Sequence, residues 1–283
     1  PKFSIVIPLY KTPIEYLDGV VESVKNQSYT NWELCLSDGS GDGGKLKEVL
    51  DKYCVDQRIK YIISDQPLGI ADNTNKALTL VTGDFIVLGD HDDLFTPNAL
   101  YECALALNEN QDIEVIYTDE DKIDMKGLTY FEPSCKPDFN IDLLRNNNYI
   151  CHMFVAKRTL VDTVGEFNQA YDGAQDYDFI FRCVEQAKKI HHIPKILYHW
   201  RAHSNSTASD PKSKMYAFEA GKRAIADHLK RVGLAATVEM GPHLGFYKVT
   251  YDIINEPLIS IIIPNKDHIG DLEICMNSID IKS

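Results

Sequence analysis

Through its first 110 residues the chain alternates short apolar runs with amphipathic segments, and this alternation constrains the fold more than any other feature. Phe3–Leu9 (FSIVIPL) reads as a buried strand, and residues 14–27 carry helical spacing through Leu17, Val20, Val21 and Val24. Strand-like residues 32–37, 59–63 and 85–88 then alternate with helix-like residues 45–53, 72–80 and 97–107. Strands that are apolar throughout must be covered on both faces, and repeated β-α units do this with a mainly parallel sheet between helical layers. The predicted class is therefore α/β and Rossmann-like, with flanking helices. In such sheets ligands bind beyond the carboxyl ends of the strands. Those ends read Pro8-Leu9-Tyr10, Ser37-Asp38-Gly39-Ser40, Ser64-Asp65 and Gly89-Asp90-His91-Asp92-Asp93, and three of the four carry aspartate.

With 283 residues, 44% hydrophobic and 25% charged, the chain can bury a substantial core, so intrinsic disorder is excluded as its main state. Its net charge of −13 is the wrong sign for a nucleic-acid binder. A phosphate compound would have to be met by a metal, a helix N-terminus or a local basic group. The seven cysteines are odd in number and form no CxxC, which argues against a disulfide framework or a zinc knuckle and for a reducing, cytoplasmic setting. No apolar run approaches a membrane span and no secretory leader is present, so any membrane association is expected to be peripheral, at the inner face. The chain opens at Pro1 directly on a strand, which reads as a fragment of a longer protein.

Beyond residue 110 the pattern is mixed. Strand-like residues 115–118, 151–155 and 196–199 flank a helix over 177–186, and residues 215–232 form a long amphipathic helix with Ile225, Leu229 and Val232 on one face. The tail holds a repeat: Ile259-Ser260-Ile261-Ile262-Ile263-Pro264 matches Phe3-Ser4-Ile5-Val6-Ile7-Pro8, 256 residues earlier. Asn277-Ser278-Ile279 likewise echoes Glu22-Ser23-Val24. Strand, Pro turn and helix recurring together predict the start of a second copy of the same domain. The expected organisation is a domain over 1–233, a connecting segment over 234–256 and a truncated second domain over 257–283. Within the first domain, residues 1–110 form one half, 111–210 another, and 215–233 a terminal helix.

Asp90-His91-Asp92-Asp93 is the sharpest chemical signal. Side chains two apart on an extended segment share a face, so Asp90 and Asp92 project together at a strand end. Carboxylates so close favour a cation between them, and hard divalent ions such as Mg²⁺ or Mn²⁺ prefer such oxygen ligands. The structural alternative is an acidic loop capping the helix that follows. Gly39, Gly41 and Gly44 satisfy the dinucleotide fingerprint, but Asp38 and Asp42 would put negative charge beside the pyrophosphate it should cradle. Asp38 suits instead an acceptor for a base N–H or a ribose hydroxyl. In Gly173-Ala174-Gln175-Asp176-Tyr177-Asp178 one aspartate is expected to cap the helix and the other to act as a general base, and position alone does not assign them. In Tyr198-His199-Trp200-Arg201-Ala202-His203 an imidazole can complete a metal site, or Arg201 can meet a phosphate. Residues 117–122 (YTDEDK) read either as a solvated turn or as a wall of a sugar pocket, and His191-His192 reads as the start of a strand.

SIVIPLYKT, LSDGSGD, TNKALTLVTGDFIVLGDHDD, GAQDYDFIFR and YHWRAHSNSTA together resemble a family 2 glycosyltransferase of GT-A fold, over about residues 3–207. YTDEDKID and HIPKILYHWR are similar to a bacterial subgroup that builds surface polysaccharides or protein glycans, often with tandem transferase domains. The resemblance implies inverting transfer from a nucleotide diphosphate sugar, most often a UDP-sugar, to a hydroxyl of a glycan. It implies a nucleotide-sugar half and a C-terminal acceptor-side region. By motif, Asp38 would hold the base with Pro8 and Tyr10 alongside. Asn75, Asp90, His91 and Arg201 would serve the donor. Asp92 and Asp90 would hold Mn²⁺ or Mg²⁺, with His203, or His199 in its place, as a further ligand. Asp176 would be the catalytic base. The usual D-D-G-S turn is Ser37-Asp38-Gly39-Ser40 here, and Gln175 stands where Glu is commoner.

Three rival functions each account for part of the sequence. An oxidoreductase built on residues 39–44 leaves the DHDD run unexplained. A nucleotidyltransferase would carry a basic, Gly-rich loop after the first strand, which FSIVIPLYKT lacks. A degenerate domain serving as a binding or assembly module, with residues 215–232 supporting a homo-oligomer, has to explain why Asp38, Asp90, Asp92 and Asp176 are all present.

Overall fold

The computed structural model describes residues 1–202, 215–255 and 257–282, in two compact units, 1–251 and 252–283. In the first half, strands β1 (Phe3–Leu9), β2 (Trp32–Asp38), β3 (Ile59–Ile63) and β4 (Phe85–Leu88) alternate with helices α1 (Ile14–Lys25), α2 (Lys47–Tyr53) and α3 (Ile70–Leu78). A two-residue strand, β5 (Leu94–Phe95), precedes helix α4 (Ala99–Glu109). The second half runs through β6 (Val115–Ile123), β7 (Tyr130–Ser134), α5 (Ile141–Asn146), β8 (Phe154–Lys157) and α6 (Arg158–Val164). It continues with α7 (Gln175–Gln186), β9 (Ile190–Arg201), α8 (Met215–Arg231) and the hairpin of β10 (Ala236–Met240) and β11 (Tyr247–Tyr251).

The large sheet has the order β3-β2-β1-β4-β8-β6-β9-β5, with β7 paired to β6. The alternation of the first half yields the parallel set β3-β2-β1-β4. Antiparallel β8 links it to β6, which pairs parallel with β9. β1 is buried along its whole length because both faces are covered. Phe3, Ile5, Ile7 and Leu9 pack with Leu17, Val20 and Val24 of α1 and with Leu100 and Leu107 of α4. Val6, of opposite parity, packs with Ala71 of α3, Phe179 and Ile180 of α7, and Ile225 and Leu229 of α8. The predicted helical stripe of α1 is the one buried, whereas Val232 lies beyond α8 and is exposed.

Several expected bounds shift. α3 starts two residues earlier than its periodicity predicts, and α2 and α4 two later. The strand expected over 151–155 begins at Phe154, because residues up to 153 form a loop in which Cys151 has φ +39°. The acidic run 117–122 is neither a turn nor a pocket wall: it is the body of β6. Its carboxylates are buried because each has a partner there. Asp119 meets His192 at 2.8 Å, Glu120 meets Lys136 at 3.2 Å, and Asp121 meets His199 at 2.5 Å.

In the second unit, residues 257–264 form no strand, while helix α9 (Ile269–Lys282) does form. A helix satisfies its backbone internally, whereas a single strand has nothing to pair with.

Candidate active site

The connection from β3 returns past β2 and β1 to place β4 on the far side of β1. Ligand crevices open where neighbouring strands connect in opposite directions, at their carboxyl ends. A cavity of about 790 Å³ lies at this point. Pro8 and Tyr10 reach it from the end of β1, and Gly89 and Asp90 from the end of β4. Asn73 of α3, Asn148, His152, Asp176 and Trp200 are also in its wall.

Asp38 ends β2 opposite Leu9 of β1 and is buried. Its Oδ1 accepts from the Ser40 N–H at 3.0 Å and the Ser40 hydroxyl at 2.5 Å. Its Oδ2 is buried with no hydrogen-bond partner among the described residues. An acceptor in that state suits a donor N–H or O–H from a ligand. Beside it, Asn73 donates to the Leu9 carbonyl at 2.8 Å and accepts from the Ser37 hydroxyl at 2.7 Å. A β-carbon on Gly39 would stand 2.6 Å from Cγ of Asn73, so this glycine serves close packing of the turn.

After β4 the chain enters the acidic turn. The Asp90 N–H donates to the Tyr198 hydroxyl at 3.0 Å, and that hydroxyl donates to Asp93 Oδ2 at 2.7 Å. Asp93 Oδ1 accepts from the Arg201 N–H at 2.8 Å. His152 stacks on Tyr198, with ring centroids 4.9 Å apart, and its Nε2 lies 3.3 Å from Asp90 Oδ2. Burial alone would lower the His152 pKa, but the charge and hydrogen bond of Asp90 outweigh it and bring it up to about 9. Burial alone would likewise raise Asp90, and the adjacent imidazole reverses this to a net lowering. Asp93 is pushed well up, by burial and then by the charges of Asp92 and Asp90.

Asp90, Asp93 and His152 each offer a ligand atom, all within 4.8 Å of one another. Two carboxylates and an imidazole fit a divalent ion such as Mn²⁺ or Mg²⁺. Asp93 already has both oxygens engaged by Tyr198 and Arg201, so it anchors the turn as well as bordering this cluster.

Arg201 does not line the cavity. Its guanidinium is consumed by backbone carbonyls, of Asp92 at 2.6 Å and Met125 at 3.0 Å, and sits over the Tyr16 ring. It holds the acidic turn in place, and the expected phosphate contact is corrected accordingly. His199 is paired with Asp121 against Tyr130, and it too lies outside the cavity wall. Asn75 is turned away, donating to the Phe167 carbonyl and accepting from the Phe167 N–H, both at 2.8 Å. Two residues before it, Asn73 occupies the position in the cavity. His91 is not among the described residues of the cavity wall, and its Nδ1 is buried without a partner among the described residues. His203 lies outside the described residues.

Asp176 lies in the first turn of α7, whose N-cap is Ala174, so neither candidate aspartate caps the helix. Residues two apart on a helix point to nearly opposite sides. Asp176 therefore faces the cavity, where its Oδ2 accepts from Asn148 at 2.8 Å. Asp178 faces inward and pairs with Arg182 at 2.9 Å. Burial pushes the Asp176 carboxyl up, against the opposing pull of His152 and the Tyr177 N–H. The helical period puts the two aspartates on different sides, and the packing of α7 decides which side faces the cavity. His152 and Asn148 carry no such signal, because they lie in an irregular loop brought in by the sheet. Tyr216, Phe218 and Tyr247, also in the wall, arrive with α8 and β11.

The description of glycosyl transferase family 2 matches residues 4–165. An uncharacterized protein, y4gI, of Sinorhizobium fredii is 41% identical over 99% of this chain. The O-antigen biosynthesis protein RfbC of Myxococcus xanthus is 34% identical over 94%, and a chondroitin synthase of Escherichia coli 29% identical over 74%. The chain spans 31%, 21% and 30% of these three proteins. Among solved structures, S. aureus TarS 1-349 in complex with UDP-GlcNAc superposes with a TM-score of 0.64 at 18% identity, covering 81% of this chain and 66% of that one. A complex of the same protein with UDP superposes with a TM-score of 0.62. This likeness shows the GT-A fold.

Proposed function

The chain belongs to glycosyl transferase family 2, and from that premise we propose that it transfers a sugar, with inversion, from a UDP-sugar to a hydroxyl of a growing glycan. The observation that carries this reading is the placement of Asp176. The half-buried Asp176 carboxylate, held by Asn148, faces the cavity that Asp90 enters from the end of β4. The UDP and UDP-GlcNAc complexes of TarS support the donor class. The names of the polysaccharide-building relatives support a glycan acceptor.

Asp38 Oδ2 accepts an N–H of the base, and Pro8 and Tyr10 flank it. Asp92 and Asp90, with His152 3.3 Å from Asp90, would hold Mn²⁺ or Mg²⁺, which would neutralise the departing diphosphate. Among the described residues no Lys or Arg lines the cavity, and the cationic side chain in its wall is His152. Asp176 takes the proton of the acceptor hydroxyl as its oxygen bonds to the anomeric carbon. The bond from that carbon to the diphosphate oxygen breaks, and the electron pair leaves with UDP. A single displacement from the opposite face inverts the centre. The tail repeat at Ile259 is read as the opening of a second such domain, a reading supported by the greater length of the relatives.

The test is Asp176→Asn. Transfer is expected to fall by about 10²–10⁴-fold, with UDP affinity in Mn²⁺ unchanged by calorimetry. Wild-type turnover by this variant refutes the assignment, and equal UDP affinity of the native chain in Mn²⁺ and in EDTA refutes the metal role.

A further inference from the structure

The first turn of α8 brings Tyr216, Ala217 and Phe218 into the wall that carries Asp172, Gly173 and Asp176. The approach is close. A β-carbon on Gly173 would stand 2.7 Å from Cε2 of Tyr216 and 2.8 Å from Cβ of Ala217. Gly173 also has φ +95°, so the bare backbone serves both the turn and the ring laid against it. Three residues on is Asp176. One edge of the Tyr216 ring thus lies on the turn leading to the proposed base, while the side chain remains 60% exposed.

This position is built. The Tyr247 hydroxyl donates to the Phe218 carbonyl at 2.9 Å, pinning the first turns of α8 to the hairpin. Tyr247 fits there because a β-carbon on Gly221 would stand 2.2 Å from its hydroxyl oxygen. Arg145 and Asp142 of α5 hold the far end of the hairpin through the Tyr251 hydroxyl, at 3.0 and 3.1 Å. All these elements follow or flank the site, and α8 and the hairpin lie beyond residues 4–165.

An exposed aromatic face beside a carboxylate matches one kind of ligand. A pyranose ring has an apolar C–H face, which an aromatic ring removes from water, and hydroxyls at its edge that reach acceptors. Charge narrows the class. Asp172 and Asp176 flank Gly173, and no described Lys or Arg lines the cavity to offset them. The cationic side chain in the described wall, His152, is paired with Asp90, so a carboxylate-bearing sugar seated on Gly173 would meet Asp172 and Asp176 first. We propose that Tyr216, seated on Gly173, forms with Phe218 the acceptor subsite, and that it takes an uncharged sugar ring at the end of the glycan.

The subsite rests on the assignment of Asp176 as base, so its test reads binding rather than turnover. Saturation-transfer NMR on the full chain, with UDP and Mn²⁺, uses methyl β-glucoside, methyl β-N-acetylglucosaminide and methyl β-glucuronide as probes. The two neutral glycosides are expected to bind and the glucuronide to bind more weakly. Tyr216→Ala is expected to weaken neutral binding by about tenfold or more, and Tyr216→Phe, which keeps the ring, by much less. UDP affinity is expected to be the same in all variants, which also reports that they fold. Neutral glycosides that bind neither protein, or both wild type and Tyr216→Ala equally, overturn the subsite. A glucuronide bound as tightly as the neutral probes overturns its class. Full transfer by Asp176→Asn would instead fail the base assignment and leave these binding results standing.

Discussion

Asp176 and Asp178 occupy different sides of α7: Asp178 pairs with the Arg182 guanidinium, whereas Asp176 is held by the neutral Asn148 amide. Because burial raises the Asp176 pKa, its ionised form is disfavoured in the folded state. The sign follows from linkage: its contribution to stability is present below the unfolded carboxylate pKa and is lost as pH rises through the raised folded value. Asp176→Asn is therefore expected to raise Tm at pH 7, by roughly 2–4 °C per kcal/mol relieved, while transfer falls. A calorimetric scan that shows a lower Tm contradicts the burial argument. The same shift sets the pH profile. A base must be ionised, so the acid limb of the transfer rate should lie above the ordinary carboxylate range near pH 4. Asp38 makes a separate prediction. Replacing it with Ala removes the acceptor Oδ2 and should weaken UDP binding by roughly tenfold or more, read by calorimetry.

At the scale of elements, the site depends on how β1, β2 and β4 are registered. Their carboxyl ends hold the cavity, and their opposite ends are tied by Glu33. This buried side chain accepts from Lys2, Lys60 and Ser4 and from the Thr82 N–H. Burial alone would raise its pKa, but these four partners hold it well below the usual carboxylate range. A depressed carboxylate stabilises the fold above its unfolded pKa, and that stability is lost as pH falls through the acid range. Glu33→Gln is expected to cost about 2–3 kcal/mol at pH 7 and to flatten the stability curve between roughly pH 5 and pH 2, measured by urea unfolding. The element level also explains the missed turn at 117–122. An acidic run reads as solvated until its partners are known. Lys136, His192 and His199 come from a later loop and from β9, and no local pattern announces them.

At the scale of the whole molecule, residues 1–251 contain both core clusters and all the described residues of the cavity wall. A chain ending at Tyr251 is expected to unfold cooperatively with Tm within about 2 °C of the full chain and to keep its UDP affinity. A loss of either would assign residues 252–283 a part in this domain. Among the described residues no helix is long and apolar enough to cross a membrane.

The α/β class, the parallel first half and the strand ends where ligand chemistry gathers were all readable beforehand. Each depends on local periodicity, and period 2 or 3.6 is written into consecutive residues. Asp38 and Asp90 could be named for the same reason, since a strand end is a local event, whereas the choice of Asp176 over Asp178 comes from the motif resemblance and not from position. What could not be read was which neighbours would share the cavity. Asn73 rather than Asn75 reaches it, Arg201 turns to backbone carbonyls, and His152 meets Asp90 from a loop 62 residues away. Those choices are settled by the packing of β8, β9 and α8 against the parallel strands. Contacts between residues distant in sequence arise only when the sheet is assembled.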